Sequence, residues 1–218
     1  MAEQISWLMK KLKEISENDT DTGNPALTQF LSEMEDIIGI HSIRVAGYAV
    51  ITAHKMGIPE DLTEVLQTSA LLHDIGKTLI PDNIIYKTGG LTGEEVSIIQ
   101  QHPVFGRNIL LQIEKYSKYS DIVLHHHEYF NGLGYPSGLS SSEIPILSRI
   151  IAVADAYEAM TSDRPYRKGF SHREAVTRLK LSKNKQFDPE VIDSFLIAIK
   201  SFSDDKRIKG KQFLSCNI

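Results

Sequence analysis

Histidine side chains in the middle of the chain are the residues best suited to chemistry. Three stand in tandem, His125, His126 and His127, directly after an apolar run and directly before Glu128. The glycine-rich segment 131–136 follows at once. Imidazole nitrogens bind transition metals, and glycines allow a ligand to approach the backbone closely. The pattern indicates a metal centre with a binding shelf beside it, and its position in mid-chain argues against an expression tag.

Two carboxylates stand at the ends of apolar stretches. Asp74 follows His73 and the run 70–72, and Asp155 follows the apolar run 150–154. A buried carboxylate without a partner costs several kcal/mol, so each needs a compensating cation. The alternatives to a metal are an ion pair of Asp74 with Lys77 alone, and pairing of Asp155 with Arg149, Arg164 or another basic group.

These residues, with two further histidines, form one candidate set of metal ligands. Its members are His41, His73, Asp74, His102, His126, His127 and Asp155. Either His41 or His102 taken alone is more typical of a structural histidine, as are His54 and His172. Five imidazoles and two carboxylates are more than one metal needs, whereas two metals about 3.5 to 4 Å apart, bridged by a carboxylate and a hydroxide, would use all of them. That arrangement is typical of a hydrolase, and ligands without thiolate suit iron or manganese without excluding zinc, nickel or cobalt.

Helical periodicity dominates the elements that must position these side chains. An amphipathic helix with Ile5, Leu8, Leu12 and Ile15 on one face begins the chain, and the polar segment 16–25 reads as a linker. From residue 26 onward apolar residues recur at helical spacing, so we expect an all-α domain, with at most a short extended pair between 78 and 92. The predicted helix starts are capping boxes at Thr92–Glu95 and Ser171–Glu174, and Asp188 before Pro189. The predicted organisation is an N-terminal helix and linker over 1–25, and one main domain over 26–218.

Composition restricts the partners. The 218 residues are 41% apolar, carry a formal charge of -4 and include one cysteine, Cys216. The charge gives no general attraction for a DNA or RNA duplex or for an anionic membrane. No apolar run reaches about 18 residues and no internal disulfide can form, so we expect a cytoplasmic protein. The apolar face of the first helix suggests docking on the main domain or a homodimer.

Eight sequence elements together resemble the HD-GYP domain family. They are His41–Val45, His73–Lys77, Leu91–Glu95, His102–Pro103, His126–Glu128, Gly132–Pro136, Ala154–Asp155 and Arg164–Arg167, which stand in the family's order. The resemblance covers residues from about 38 to 197. It implies an all-helical HD domain with a two- or three-metal centre, and hydrolysis of the bacterial messenger cyclic di-GMP.

The resemblance also implies a role for each matching residue. The same seven residues are the expected metal ligands, with Asp74 bridging and His125 outside the ligand set. Lys77 is expected near the metals, where its ammonium can hold a phosphate oxygen. The expected substrate contacts are Lys77, Tyr135, Arg164, Arg167, Gly132 and Gly134, because arginine binds phosphate through two parallel hydrogen bonds. In the absence of the candidate metal ligands, the two arginines would be interpreted as part of a solvent-exposed charged turn.

Two positions depart from the family's pattern. Ile37 stands where some members carry a glutamate that helps to hold a third metal, so we expect two metals. Asn131 stands where the family usually has aspartate, which preserves shape and hydrogen bonding but removes a charge.

The expected reaction is attack of a metal-bridging hydroxide on a phosphodiester of cyclic di-GMP, giving linear pGpG, and the sequence leaves open whether GMP is the final product. Two alternatives remain open. One is an HD phosphohydrolase that acts on another cyclic dinucleotide or nucleotide. The other is a catalytically weak module that binds a cyclic dinucleotide and signals through a partner.

Overall fold

A computed structural model describes residues 2–18, 25–33, 39–163 and 168–204 of the chain. The described residues form an all-α structure, as predicted. The α-helices are α1 Ala2–Asn18, α2 Pro25–Ser32, α3 Gly39–Met56, α4 Glu60–Leu72, α5 Asp82–Ile85, α6 Gly93–Ile99, α7 His102–Leu110, α8 Glu114–Ser117, α9 Ser120–Leu124, α10 Ile146–Thr161, α11 His172–Leu181 and α12 Pro189–Asp204. Two 3-10 helices, Ile75–Leu79 and Ser141–Glu143, complete the regular structure. In the described part of the chain, no helix is long and apolar enough to cross a bilayer.

Helix α3 lies at the centre of the bundle. It packs against α4, α10 and α12, and its buried face is made largely of small residues, Ala46, Ala49 and Ala53. Small side chains allow neighbouring helices to approach closely, and the larger Ile150 and Phe195 of the facing helices are fully buried. The apolar core thus surrounds the helix that carries His41.

The first helix belongs to the same packed core. Leu8 and Leu12 of α1 are buried with the core residues of the main domain, and the Trp7 and Phe30 rings lie 5.9 Å apart. Docking on the main domain is therefore observed. The helix extends through Ser16–Asn18, so the predicted linker is shorter than expected, and residues 19–24 lie outside the described residues.

The helix starts agree largely with the sequence. Thr92 and Glu95 form the predicted capping box, and Asp188 accepts a hydrogen bond from the Glu190 backbone N–H at the start of α12. Ser171 caps α11, but the carboxylate of Glu174 pairs with Arg178.

The extended pair allowed between residues 78 and 92 was wrong. This segment contains the end of the 3-10 helix Ile75–Leu79 and helix α5, with Pro81 immediately before α5 and Ile84 buried. Proline fixes φ near the helical value and suits the start of a helix, which explains why the chain turns into a helix here.

Candidate metal centre

All seven predicted ligands converge at one place in the bundle. His41 lies in the first turn of α3, and Asp155 lies in α10. The others stand where helices begin or end: His73 and Asp74 follow α4, His102 begins α7, and His126 and His127 follow α9. Their donor atoms form two groups, Asp74 with His102, His126 and His127, and His41 with His73 and Asp155. Within each group these atoms lie within 4.8 Å of one another.

The carboxylate of Asp74 lies between the two groups. Its Oδ1 is 3.3 Å from Nε2 of His102, whereas its Oδ2 is 3.4 Å from Nε2 of His73 and 3.6 Å from Nε2 of His41. One oxygen thus faces each group. This is the placement that a carboxylate bridging two cations requires.

Three of the histidines are oriented by the helix that precedes them. Nδ1 of His73, His102 and His126 lies 2.7, 2.7 and 2.6 Å from the carbonyl oxygen three residues earlier. Carbonyls in the last turn of a helix lack intrahelical partners and can accept these bonds. Because a carbonyl only accepts, we assign the ring proton to Nδ1, which leaves the Nε2 lone pair free to bind a metal.

Gly76 brings His102 close to Asp74. A Cβ atom at this position would lie 2.0 Å from the His102 carbonyl oxygen and 2.5 Å from the Gly106 nitrogen. Only glycine allows such an approach between the backbone of the 3-10 helix and that of α7. The glycine of the His73–Lys77 motif therefore closes the site on this side.

Burial and charge set the protonation states of the site. Burial lowers the pKa of His102 to about 4 and that of His127 to about 3, and it also lowers the pKa of His126. Burial raises the pKa of Asp74, but Lys77 and His73 outweigh it and hold the pKa well below its usual value. At neutral pH these groups are neutral imidazoles and an ionised carboxylate, which are the forms that bind metals.

His41 behaves differently. Burial lowers its pKa, but hydrogen bonds to Asp155 and Glu158 outweigh that effect and raise it to about 10. The ring therefore carries a second proton and a positive charge at neutral pH, which compensates part of the buried carboxylate charge. Cation binding between the carboxylates would release that proton.

The donor set fits divalent cations. The atoms Nε2 of His73 and Oδ1 of Asp74 are buried and make no hydrogen bond in the described structure. Buried polar atoms normally have a partner, and these two face other metal-binding atoms. Imidazole and carboxylate ligands suit a divalent transition metal, so the residues present could hold one at each group.

Lys77 lies beside the ligand cluster. Its Nζ is 2.5 Å from Oδ2 of Asp74, so the ion pair considered as an alternative to a metal does form. The pair does not replace the ligand arrangement, since Oδ1 of Asp74 still faces His102. The Lys77 side chain is 20% exposed whereas that of Asp74 is 1% exposed, so the ammonium lies between the cluster and solvent.

The segment after the histidines forms a closed loop beside the cluster. The Tyr135 ring stacks on the His127 ring with centroids 4.9 Å apart, and Glu128 accepts hydrogen bonds from the backbone N–H groups of Ser137 and Leu139 at 2.7 and 3.1 Å. A Cβ at Gly134 would lie 2.1 Å from the Tyr129 nitrogen, so the close approach there involves the chain's own backbone. The loop holds Tyr135 against a predicted ligand.

Asn131 stabilises the same loop. Its Oδ1 accepts a hydrogen bond from the Leu133 N–H at 3.1 Å, and its side chain is exposed. Gly132 has a φ of 79°, a conformation that favours glycine. An aspartate at position 131 could accept the same bond.

Some predicted positions lie outside the described residues, namely Ile37, Arg164 and Arg167. The ends of the arginine segment are described. Oδ1 of Asp163 accepts a hydrogen bond from the Gly169 N–H at 2.8 Å, and the Phe170 N–H donates to the Met160 carbonyl. The described residues on either side, Asp163 and Gly169–Phe170, therefore lie at the end of α10, the helix that carries Asp155.

The other histidines take no part in the cluster. His125 Nδ1 lies 2.8 Å from the Asp121 carbonyl oxygen, His54 pairs with Glu60, and His172 contacts the Tyr157 hydroxyl. Sequence reasoning missed one buried carboxylate, Glu158, whose Oε2 lies 2.5 Å from Nδ1 of His41. Its position one helical turn after Asp155, in the same apolar helix, was the available signal.

Comparison with known proteins agrees with this geometry. The HD domain family model matches residues 25–191, so the chain belongs to the HD domain family. A cyclic di-GMP phosphodiesterase of Pseudomonas aeruginosa is 39% identical over 170 residues, covering 78% of this chain and 41% of that protein. A cyclic di-GMP phosphodiesterase of Thermotoga maritima is 39% identical over 194 residues, covering 88% of this chain and 53% of that protein.

The chain thus spans about half the length of these relatives. Among solved structures, an HDG"Y"P protein from Bdellovibrio bacteriovorus matches with a TM-score of 0.64 at 21% identity, covering 90% of this chain and 70% of that one. This likeness supports the HD fold. The predicted resemblance to HD-GYP domains is confirmed.

The lowered pKa values predict how stability depends on pH. In metal-depleted protein, the free energy of unfolding should fall as the pH is lowered from about 6.5 to about 4, because the unfolded chain then protonates His102 and His127 while the folded chain does not. Their contribution is complete above pH 6.5 and is lost as the pH falls through the folded pKa values. The contribution of His41 is complete below about pH 6.5 and is lost as the pH rises towards 10. Urea unfolding with a chelator present, across this range, measures both effects.

A matched variant isolates one proton. Between about pH 4 and 6.5, His102→Gln should make the free energy of unfolding depend less steeply on pH. The slope should fall by up to about 1.4 kcal/mol per pH unit, which is the value for one proton. An unfolding free energy that does not change across this window in the parent protein would contradict the assignment of neutral imidazoles.

Proposed function

We propose that this chain is a metal-dependent phosphodiesterase that hydrolyses cyclic di-GMP to linear pGpG, with GMP as a further product. The observation that carries the proposal is the position of Asp74, with one carboxylate oxygen towards each of two ligand groups. The names of the two relatives supply the substrate class. The alternative substrate, another cyclic dinucleotide, is tested by the turnover assay described below.

The proposed ligands are the seven converging side chains. One divalent cation is assigned to Asp74, His102, His126 and His127, and the other to His41, His73 and Asp155, with Asp74 shared. Iron or manganese suits these nitrogen and oxygen donors. When bound, such cations lower the pKa of a water molecule and neutralise charge on the reacting phosphate.

Lys77 and Tyr135 are assigned to the substrate. The Lys77 ammonium lies between the buried cluster and solvent, where it can hold a non-bridging phosphate oxygen that reaches the metals. Burial raises the pKa of Tyr135, so its hydroxyl stays protonated and can donate a hydrogen bond. The Tyr135 ring, stacked on His127, forms a wall against which a ligand can pack.

The two arginines of the 164–167 segment are also assigned to substrate phosphate. This assignment rests on the resemblance to HD-GYP domains, because residues 164–167 lie outside the described residues. A planar guanidinium suits a phosphodiester because it donates two parallel hydrogen bonds. A cytoplasmic setting and a homodimer through α1 stay predictions from the sequence.

Two adjacent histidines test the function. His126→Gln should reduce turnover of cyclic di-GMP by at least about 100-fold, because the centre supplies several kcal/mol and 1.4 kcal/mol corresponds to about a factor of ten. His125→Gln should stay within about fivefold of the parent protein, since His125 contacts a backbone carbonyl outside the cluster and exposed polar contacts contribute at most about 1 kcal/mol. Turnover is measured by chromatography of product, with anaerobic protein reconstituted with Mn²⁺ or Fe²⁺ and its metal content determined.

Three results would contradict the proposal. Retained turnover in His126→Gln, or in the isosteric Asp74→Asn, would show that the proposed metal centre is not the catalytic site. Faster hydrolysis of a different cyclic dinucleotide would change the substrate. Tight binding of cyclic di-GMP without turnover in metal-loaded protein would identify a receptor.

Asn131 provides a second test, on the effect of the missing charge. Asn131→Asp should leave kcat/KM within about fivefold, because the exposed aspartate keeps the hydrogen bond from Leu133 and an exposed charge contributes at most about 1 kcal/mol. Asn131→Ala removes the acceptor and should raise KM more than Asn131→Asp does. An increase in kcat/KM of more than tenfold in Asn131→Asp would show that the amide weakens catalysis.

A further inference from the structure

Glu158 is a buried carboxylate with no role in the ligand set. Glu158 is 3% exposed and lies in α10, one helical turn after Asp155. The two carboxylates contact opposite nitrogens of the same imidazole. Oδ1 of Asp155 is 3.1 Å from Nε2 of His41, and Oε2 of Glu158 is 2.5 Å from Nδ1.

His41 needs this second contact because of its place in the fold. His73, His102 and His126 each use a carbonyl three residues earlier, at the end of a helix. His41 instead lies in the first turn of α3, where helix carbonyls accept intrahelical bonds. The group that orients its ring therefore comes from another helix, α10.

The carboxylate is itself held in place. Ser162 Oγ donates to Oε1 of Glu158 at 2.5 Å, and Nη1 of Arg44 lies 3.4 Å from the same oxygen. Arg44 also donates to Ser162 Oγ at 3.2 Å. With Oε1 occupied in this way, Oε2 is directed at the His41 ring.

We propose that Glu158 is a positioning residue that keeps the His41 proton on Nδ1 and the Nε2 lone pair towards the metal. This inference rests on the proposed metal centre. A carboxylate partner also makes the imidazole a stronger ligand, and loss of such a partner typically weakens metal affinity by about 10 to 100-fold. The effect is expected at the group that contains His41, His73 and Asp155.

The experiment compares Mn²⁺ affinity, by competition with a chelator, in Glu158→Gln, Glu158→Ala and the parent protein. Glutamine keeps an acceptor oxygen but loses the charge, so affinity should fall in the order parent, Glu158→Gln, Glu158→Ala, by about 10 to 100-fold in the alanine variant. Asp188→Asn is the matched control. Asp188 is another buried carboxylate, 2.6 Å from Nη1 of Arg149, and its substitution should lower the melting temperature without changing Mn²⁺ affinity.

A second readout reports on the tautomer directly. In ¹⁵N-histidine spectra of protein loaded with diamagnetic Zn²⁺, in which His41 is a neutral imidazole, the Glu158 variants should show an altered His41 signal and an unaltered His73 signal. Loss of the partner should lower Mn²⁺ affinity at least tenfold. The inference is therefore overturned if Glu158→Ala binds Mn²⁺ within about twofold of the parent protein. If the alanine variant does not fold, the same criterion applies to Glu158→Gln.

The outcomes separate this inference from the proposed function. Parent protein that binds Mn²⁺ but does not hydrolyse cyclic di-GMP would overturn the function, and the affinity ratio would still decide the role of Glu158. Parent protein that binds neither Mn²⁺ nor Fe²⁺ would overturn both.

Discussion

The cost of burying ionisable groups is the constraint on which the site depends. Asp74 is 1% exposed and Glu158 is 3% exposed, in a bundle whose buried side chains are mostly apolar. Unpaired carboxylates in such surroundings would cost several kcal/mol each. The structure offsets this cost with Lys77, with a protonated His41 and with donors on Arg44 and Ser162. Divalent cations bound by the two ligand groups would compensate the same buried negative charge more completely. The need to compensate this charge therefore supports the proposed metal centre.

The fold meets this constraint with the ends of helices. His73, His102 and His126 lie where one helix finishes, and the free carbonyls there fix each ring with its Nε2 towards the centre. Gly76 then lets the 3-10 helix approach α7, which places His102 against Asp74. These three rings are thus already oriented towards the centre without a cation, which lowers the ordering cost of binding.

Much of the site could be predicted from the sequence, for a physical reason. Asp74 and Asp155 end apolar helical runs, so the burial of Asp74 and the need of both carboxylates for a partner were readable locally. The HD-GYP resemblance linked them to distant histidines. Glu158 could not be assigned, because its partner His41 is 117 residues away and only packing of α3 on α10 reveals the contact. The close approach at Gly134 is to the chain's own backbone, which local sequence does not distinguish from approach to a ligand. The extended pair near residue 80 was wrong because Pro81 directly precedes helix α5, which buries Ile84.

Diffraction from crystals of metal-loaded protein, with anomalous data at the Mn or Fe edge, would show whether Asp74 bridges two cations. The proposed centre should give two anomalous peaks about 3.5 to 4 Å apart, with one carboxylate oxygen of Asp74 bound to each metal. A single peak, or peaks that do not contact Asp74, would contradict it.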